Sequence, residues 1–115
     1  MPKLHFLSGV LLFGAVGTAI AHAHLVTSVP ADDSTLTTAP RTLVLEFSEA
    51  ASLTVLALAG PGGAQQKLAP LPPDPEKRVS VALPPLTPGD YVVTWRALGA
   101  DGHVTAGKIR FHLAQ

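Results

Sequence analysis

Short runs of alternating side chains, separated by prolines and glycines, restrict the fold of this sequence more than any other feature. In residues 91–96 and again in residues 108–113, apolar side chains occupy every second position. A repeat of two is typical of a β-strand that buries one face. The sequence has eleven prolines and ten glycines, most of which separate such runs, and no stretch after residue 21 has a long helical repeat. The pattern therefore predicts an all-β fold.

The same alternation predicts about seven short strands, and therefore an antiparallel β-sandwich or barrel. The segment Thr87-Pro88-Gly89-Asp90-Tyr91 opens one strand. It fits either the tyrosine corner of immunoglobulin-like sandwiches or a generic tight turn with an interior tyrosine. One strand is a weak edge strand, because the prolines that follow it cannot donate to a sheet ladder. The predicted strands cover residues 25–29, 41–48, 52–59, 65–69 (the weak edge strand), 79–83, 91–96 and 108–113.

The first 21 residues differ in character from the rest. Lys3 and His5 precede an apolar run that extends from Phe6 to Val16, and Ala19-Ile20-Ala21 follows. A basic start, a short apolar stretch and an A-x-A site are typical of a secretory signal peptide. The run is shorter than the roughly 20 residues that a membrane-spanning helix needs. We expect residues 1–21 to be a cleaved signal peptide and residues 22–115 to be one domain; an uncleaved anchor or a buried helix is the alternative.

Composition excludes several classes of site in the secreted part. The sequence has no cysteine, which rules out disulfides, thiolate metal sites and cysteine nucleophiles. Its one methionine is Met1. Without Lys3, the region has seven basic and eight acidic side chains. This near-neutral balance argues against a nucleic acid partner, which would require a basic patch.

Histidines are the best candidate ligands, and cleavage after Ala21 would make His22 the first residue. Its free α-amine, with a pKa of about 7.7–8.0, and its ring Nδ1 could then chelate one metal ion together. Cleavage two residues later would expose His24 instead, and His24 is also a candidate fourth ligand. A terminal histidine alone means little, since a mature chain can begin with any residue. His112 lies on the polar face of its predicted strand, where we expect a solvated side chain.

Asp101-Gly102-His103 is the second candidate segment. Residues two apart point the same way if the backbone is extended, so Asp101 and His103 would converge on one ion. Gly102 lets the backbone bend between them. The segment also fits a plain turn with a surface histidine. Together with His22 it offers nitrogen and oxygen ligands, which copper(II) prefers, whereas copper(I) prefers sulfur. Zinc accepts similar ligands and stays open as an alternative.

These residues resemble the CopC family of periplasmic copper-resistance proteins across essentially the whole region after residue 21. No single segment decides the resemblance; their order and spacing carry it. The matching segments are His22-Ala23-His24-Leu25, Ser28-Val29-Pro30-Ala31, Leu45-Glu46-Phe47-Ser48-Glu49, residues 86–96, and Asp101-Gly102-His103 leading to Gly107 and Phe111.

The resemblance implies an immunoglobulin-like Greek-key β-sandwich or barrel with one copper(II) ion. It implies that His22 binds through its amine and Nδ1, His103 through a ring nitrogen, and Asp101 as a ligand or close axial partner. It also implies a periplasmic carrier or buffer, not an enzyme, that delivers copper to a CopD-type membrane importer; we expect a monomer. Two rival functions remain: a histidine-brace copper monooxygenase, and a metal-free interaction module.

Overall fold

The structure is a computed structural model, and it describes residues 22–115. The predicted signal peptide, residues 1–21, lies outside the described residues. No helix that could cross a membrane occurs between residues 22 and 115. The secondary structure of this part consists of seven strands, β1 (Leu25–Val29), β2 (Ser34–Leu36), β3 (Thr42–Ala59), β4 (Gln65–Lys67), β5 (Glu76–Ala82), β6 (Gly89–Gly99) and β7 (Val104–Leu113).

Strand β3 is shared between two layers and organises the fold. Its first half pairs antiparallel with β1 and β5. Its second half pairs antiparallel with β6 and, at its end, with β4. The register shifts between Glu46 and Ala51, where the strand passes from one set of partners to the other. The ladder then continues from β6 to β7 and β2. Because one strand lies in both layers, the sheet curls on itself, and the predicted all-β fold is confirmed.

The alternation located most strands, but β5, β6 and β7 begin two to four residues before the predicted bounds, β6 also ends three residues later, and β4 is two residues shorter. Two larger differences concern β3 and β2. The separate strands predicted at residues 41–48 and 52–59 merge into the single strand β3, which begins at Thr42. The side chains of Glu49 and Ala50 are both exposed, so the sequence pattern there predicts a turn although the chain stays extended. The prediction missed β2, which has only three residues and pairs parallel with β7. The pairing is antiparallel, as predicted for the sandwich or barrel, in every described strand pair except this one at the edge.

The inward faces of the strands form one hydrophobic core. Phe47 of β3 packs edge-on against Trp95 of β6, with ring centroids 5.5 Å apart and an interplanar angle of 70°. Packing of large side chains in this way stabilises a sandwich that has no disulfide. The largest fully buried side chains are Phe47, Leu43, Leu45, Ile109, Val79 and Val93.

Tyr91 forms a tyrosine corner at the start of β6. Its hydroxyl donates to the carbonyl oxygen of Thr87 at 2.6 Å and accepts a hydrogen bond from the Thr87 amide at 3.0 Å. The ring stacks on Phe111 at a centroid distance of 5.3 Å. The aromatic body is thus buried while its polar end is satisfied by the backbone. Of the two local structures that fit this segment, the structure has the corner and not the generic turn.

Candidate metal centre

A tight loop between β6 and β7 presents two of the predicted ligands. The Gly99 amide donates to the carbonyl oxygen of His103 at 2.9 Å, and the Gly102 amide donates to that of Gly99 at 3.0 Å. Gly102 has a φ of 84°, in the left-handed region that favours glycine. The hairpin thus closes over residues 100–103 and fixes the backbone on which Asp101 and His103 lie.

The Asp101 carboxylate is held by its neighbour in the loop. Its Oδ1 accepts a hydrogen bond from the His103 amide at 3.0 Å, and its Oδ2 lies 3.0 Å from His103 Nδ1. The amide hydrogen bond, followed by the side-chain hydrogen bond, lowers the pKa of Asp101 to about 2. The carboxylate is therefore ionised at neutral pH. The two side chains converge as expected, but the expected reason is wrong, because Gly102 makes this segment a turn and not an extended strand.

The segment before β1 is anchored between two strands. Ala23 is buried, with 1% of its surface exposed, and its carbonyl oxygen accepts a hydrogen bond from Thr105 Oγ1 at 2.9 Å. On the other side, the Ser48 amide donates to the carbonyl oxygen of His24 at 2.8 Å. These contacts continue the β1–β3 ladder towards the amino terminus and bring His22 beside the β6–β7 loop.

His22 turns its ring into the loop. Its Nδ1 lies 3.0 Å from Asp101 Oδ2, and its ring centroid lies 4.7 Å from that of His103. Although Nδ1 lies this close to Asp101 Oδ2, it makes no hydrogen bond of acceptable geometry and is shielded from solvent. The short distance and the missing hydrogen bond agree with each other if the His22 ring does not direct an N–H group at Asp101 Oδ2. A buried ring nitrogen without a hydrogen-bond partner is costly, and a metal ion would satisfy it.

One group of side chains between residues 22 and 115 has a metal-binding arrangement, and it consists of His22, Asp101 and His103. Their candidate ligand atoms lie within 4.8 Å of one another. Ligands about 2.0–2.2 Å from one ion lie roughly 3–4 Å apart, so the group needs little movement to surround an ion.

Two other histidines lie outside this group. His24 is exposed, and its ring centroid is 6.1 Å from that of His22. His112 lies near the opposite end of β7, where its Nδ1 is 2.7 Å from Asp90 Oδ1. The His112 side chain is 47% exposed, in agreement with the prediction of a solvated histidine.

Comparison with known proteins identifies the family. The family model described as the CopC domain matches residues 25–114, which is most of the chain. The chain belongs to the CopC family. The resemblance inferred from the sequence segments is thereby confirmed.

Individual CopC relatives agree with this assignment. Copper resistance protein C of Escherichia coli is 36% identical, and the match covers 91% of each chain. The crystal structure of CopC from Methylosinus trichosporium OB3b superposes with a TM-score of 0.69 at 23% identity, covering 81% of this chain and 94% of the other. PcoC of Escherichia coli, described as a methionine-rich copper resistance protein, gives a TM-score of 0.64 at 31% identity, covering 81% and 99%. The two Escherichia coli relatives are named as copper resistance proteins, which agrees with the expectation that this protein is not an enzyme.

Sequence reasoning missed the residues that position the segment His22-Ala23-His24. Ser48 and Thr105 each hold the segment before β1 through a side-chain hydroxyl. Nothing in their local sequence distinguishes them from other polar residues on alternating strands. Only their partners, far away in the chain, reveal this role.

Proposed function

We propose that this protein is a periplasmic copper(II)-binding protein that carries or buffers one copper ion in copper resistance and homeostasis. The observation that carries the proposal is the convergence of an ionised Asp101 carboxylate with the imidazoles of His22 and His103, one of which has a shielded nitrogen without a hydrogen bond. The names of the CopC relatives support copper as the cargo.

The donor chemistry favours copper(II) over copper(I) and zinc. Imidazole nitrogen and carboxylate oxygen suit tetragonal copper(II), which also has the highest affinity in the divalent series. Copper(I) prefers sulfur ligands, and the one methionine of the chain is Met1. In this respect the chain differs from PcoC, which is described as methionine-rich. Zinc favours a tetrahedral set, whereas a terminal chelate supplies adjacent positions in a plane.

Cleavage of a signal peptide after Ala21 would complete the donor set. The domain would then be residues 22–115 and would begin with the free amine of His22. Nδ1 is the ring nitrogen that can close a chelate with this amine, and it is also the one near Asp101 Oδ2. We propose that His22 binds through its amine and Nδ1, His103 through a ring nitrogen, and Asp101 through its carboxylate. The negative carboxylate offsets part of the charge of the cation.

Access to solvent suits a carrier. The side chains of His22 and His103 are 40% and 64% exposed. A recipient could therefore approach the ion and replace the ligands one at a time. We propose that the protein acts as a monomer and that a CopD-type membrane importer is the recipient. The relatives' names as resistance proteins favour this role over a histidine-brace monooxygenase.

Mass spectrometry of the exported protein, recorded with and without copper(II), tests the proposal. We expect a mature chain that begins at His22 and gains one copper ion, because the amine of that residue is needed for the chelate. A mature chain that begins at another residue, His24 included, would contradict the proposed site. A chain that begins at His22 but takes up no copper would favour the metal-free interaction module.

Replacing His103 tests the ligand set directly. We expect His103→Ala to remove the hyperfine coupling of one nitrogen from the EPR spectrum of the copper(II) protein, because the loop then offers only the carboxylate. His112→Ala, which removes an exposed histidine from the same strand system, should leave the spectrum unchanged and is the matched control. An unaltered spectrum for His103→Ala would exclude this residue as a ligand.

A further inference from the structure

We infer that Ser48 is a positioning residue that decides how the amino terminus binds copper(II). It holds His22-Ala23-His24 extended, so that the ion is bound by the His22 amine and by side chains that include Asp101, and not by the backbone amide nitrogens of Ala23 and His24. The inference rests on the proposed function, since it concerns the mature chain that begins at His22.

The tripeptide carries a competing site of its own. A chain with a free amine and histidine as its third residue can wrap copper(II) with the amine, two backbone nitrogens and the ring of that histidine. All ligands are then nitrogens in one plane, which suits tetragonal copper(II). The two amide protons are released to solvent as the copper–nitrogen bonds form. In this mode His24 would be a ligand, and Asp101 and His103 would take no part.

The backbone conformation opposes that wrapped mode. Each small chelate ring through consecutive backbone nitrogens needs ψ near about 0°, whereas an extended strand has ψ of about +135°. The segment before β1 continues the strand ladder, because His24 pairs with Ser48 next to the Leu25–Phe47 pair. Its side chains alternate accordingly, with Ala23 buried and His24 exposed. Copper could be wrapped only if Ala23 left the core.

Ser48 fixes this conformation through the groups that wrapping would require. Its Oγ accepts a hydrogen bond from the His24 amide at 2.9 Å, and the same Oγ donates to the carbonyl oxygen of His22 at 3.2 Å. The His24 nitrogen is one of the two backbone nitrogens of the wrapped mode. As long as its hydrogen is directed at Ser48, this nitrogen is not available to copper.

The Ser48 hydroxyl can be removed without removing the other hydrogen bonds that hold this segment. The main-chain bond from the Ser48 amide to His24 does not use it, and neither does the bond from Thr105 to Ala23. Ser48→Ala therefore removes two hydrogen bonds to the tripeptide and leaves the other two. We expect the variant to keep its fold while the tripeptide gains freedom to wrap the ion.

Visible absorption and EPR of the processed protein with one equivalent of copper(II) test this inference. We expect the wild-type protein to give a single species with two imidazole nitrogens and an amine. Ser48→Ala should add a second species with an absorption band at shorter wavelength, because backbone nitrogens exert a stronger ligand field. The double variant Ser48→Ala/His24→Ala should lose this second species, because the wrapped mode requires the His24 ring.

Two further variants serve as controls. Ser48→Thr keeps the hydroxyl and should restore the wild-type spectrum. Ser52→Ala removes a half-buried serine from the same strand and should have no effect. A wrapped spectrum in the wild-type protein, or identical spectra for wild type and a folded Ser48→Ala, would overturn the inference and leave copper binding intact. If Ser48→Ala does not fold, a second species in folded Ser48→Thr would overturn it. Failure of the wild-type protein to bind copper would instead overturn the proposed function.

Discussion

The copper(II) affinity of the protein that begins at His22 is expected to fall by more than about 100-fold when one methionine is added before His22. Loss of a ligand's hydrogen-bonding partner alone already costs about 10- to 100-fold. The added residue converts the α-amine of His22 into an amide and moves the free amine away from Nδ1. His103 and Asp101 stay where they are, so the chelate is lost and the fold is not. Titration calorimetry of the two proteins measures the difference.

A matched control separates this effect from a general effect of chain length. The same residue added after Gln115 leaves His22 as the terminus and should not alter copper affinity. Circular dichroism should be the same for all forms, because the core begins at Ala23. Equal affinities for the proteins with and without the leading methionine would show that the amine is not a ligand.

Phe47→Ala is expected to lower the free energy of unfolding by about 3–5 kcal/mol, the usual cost of deleting a large buried aromatic side chain. Phe47 is fully buried in β3 and packs edge-on against Trp95. Its removal leaves a cavity between the two layers that share β3. Total stabilities of small domains are about 5–15 kcal/mol, so this single change removes a large fraction.

Urea unfolding followed by tryptophan fluorescence measures this loss, because Trp95 is the one tryptophan and contacts Phe47. Val55→Ala is the control, since Val55 lies on the same strand but is 40% exposed. It should lower the free energy of unfolding by less than about 1 kcal/mol. If Phe47→Ala proved no more harmful than Val55→Ala, the assigned core would be wrong.

Local alternation was sufficient to locate strands whose pattern is unbroken, although β6 and β7 extend beyond the predicted residues 91–96 and 108–113. It was insufficient where strand pairing overrides the pattern. The bounds of β1 are those predicted. Strand β3 was divided because a sandwich strand that changes partners at Glu46–Ala51 exposes side chains on both faces there. Strand β2 was missed because its three residues are held by pairing with β7, about 77 positions away, which no local pattern contains.

For the candidate site, residue types could be predicted but the means of holding them could not. His22, Asp101 and His103 stand out by chemistry and position in the sequence, and they converge. The turn at Gly102 and the hydroxyls of Ser48 and Thr105 depend on contacts across 24 to 82 positions or on backbone detail. Such positioning residues leave no periodic signal, because any polar side chain would fit the same pattern.

The burial of Ala23 and its bond from Thr105 have a consequence for turnover of the cargo. Small zinc domains fold only when they bind metal, so each release of the metal unfolds them. Here the segment next to the proposed metal site is held by apolar packing and by hydrogen bonds to its main chain that do not involve a metal ion. If the proposed site binds copper(II), little ordering would accompany binding, and release of the ion would leave the site intact. A protein with the proposed carrier function could then alternate repeatedly between its copper-bound and copper-free forms without exposing its core to proteases.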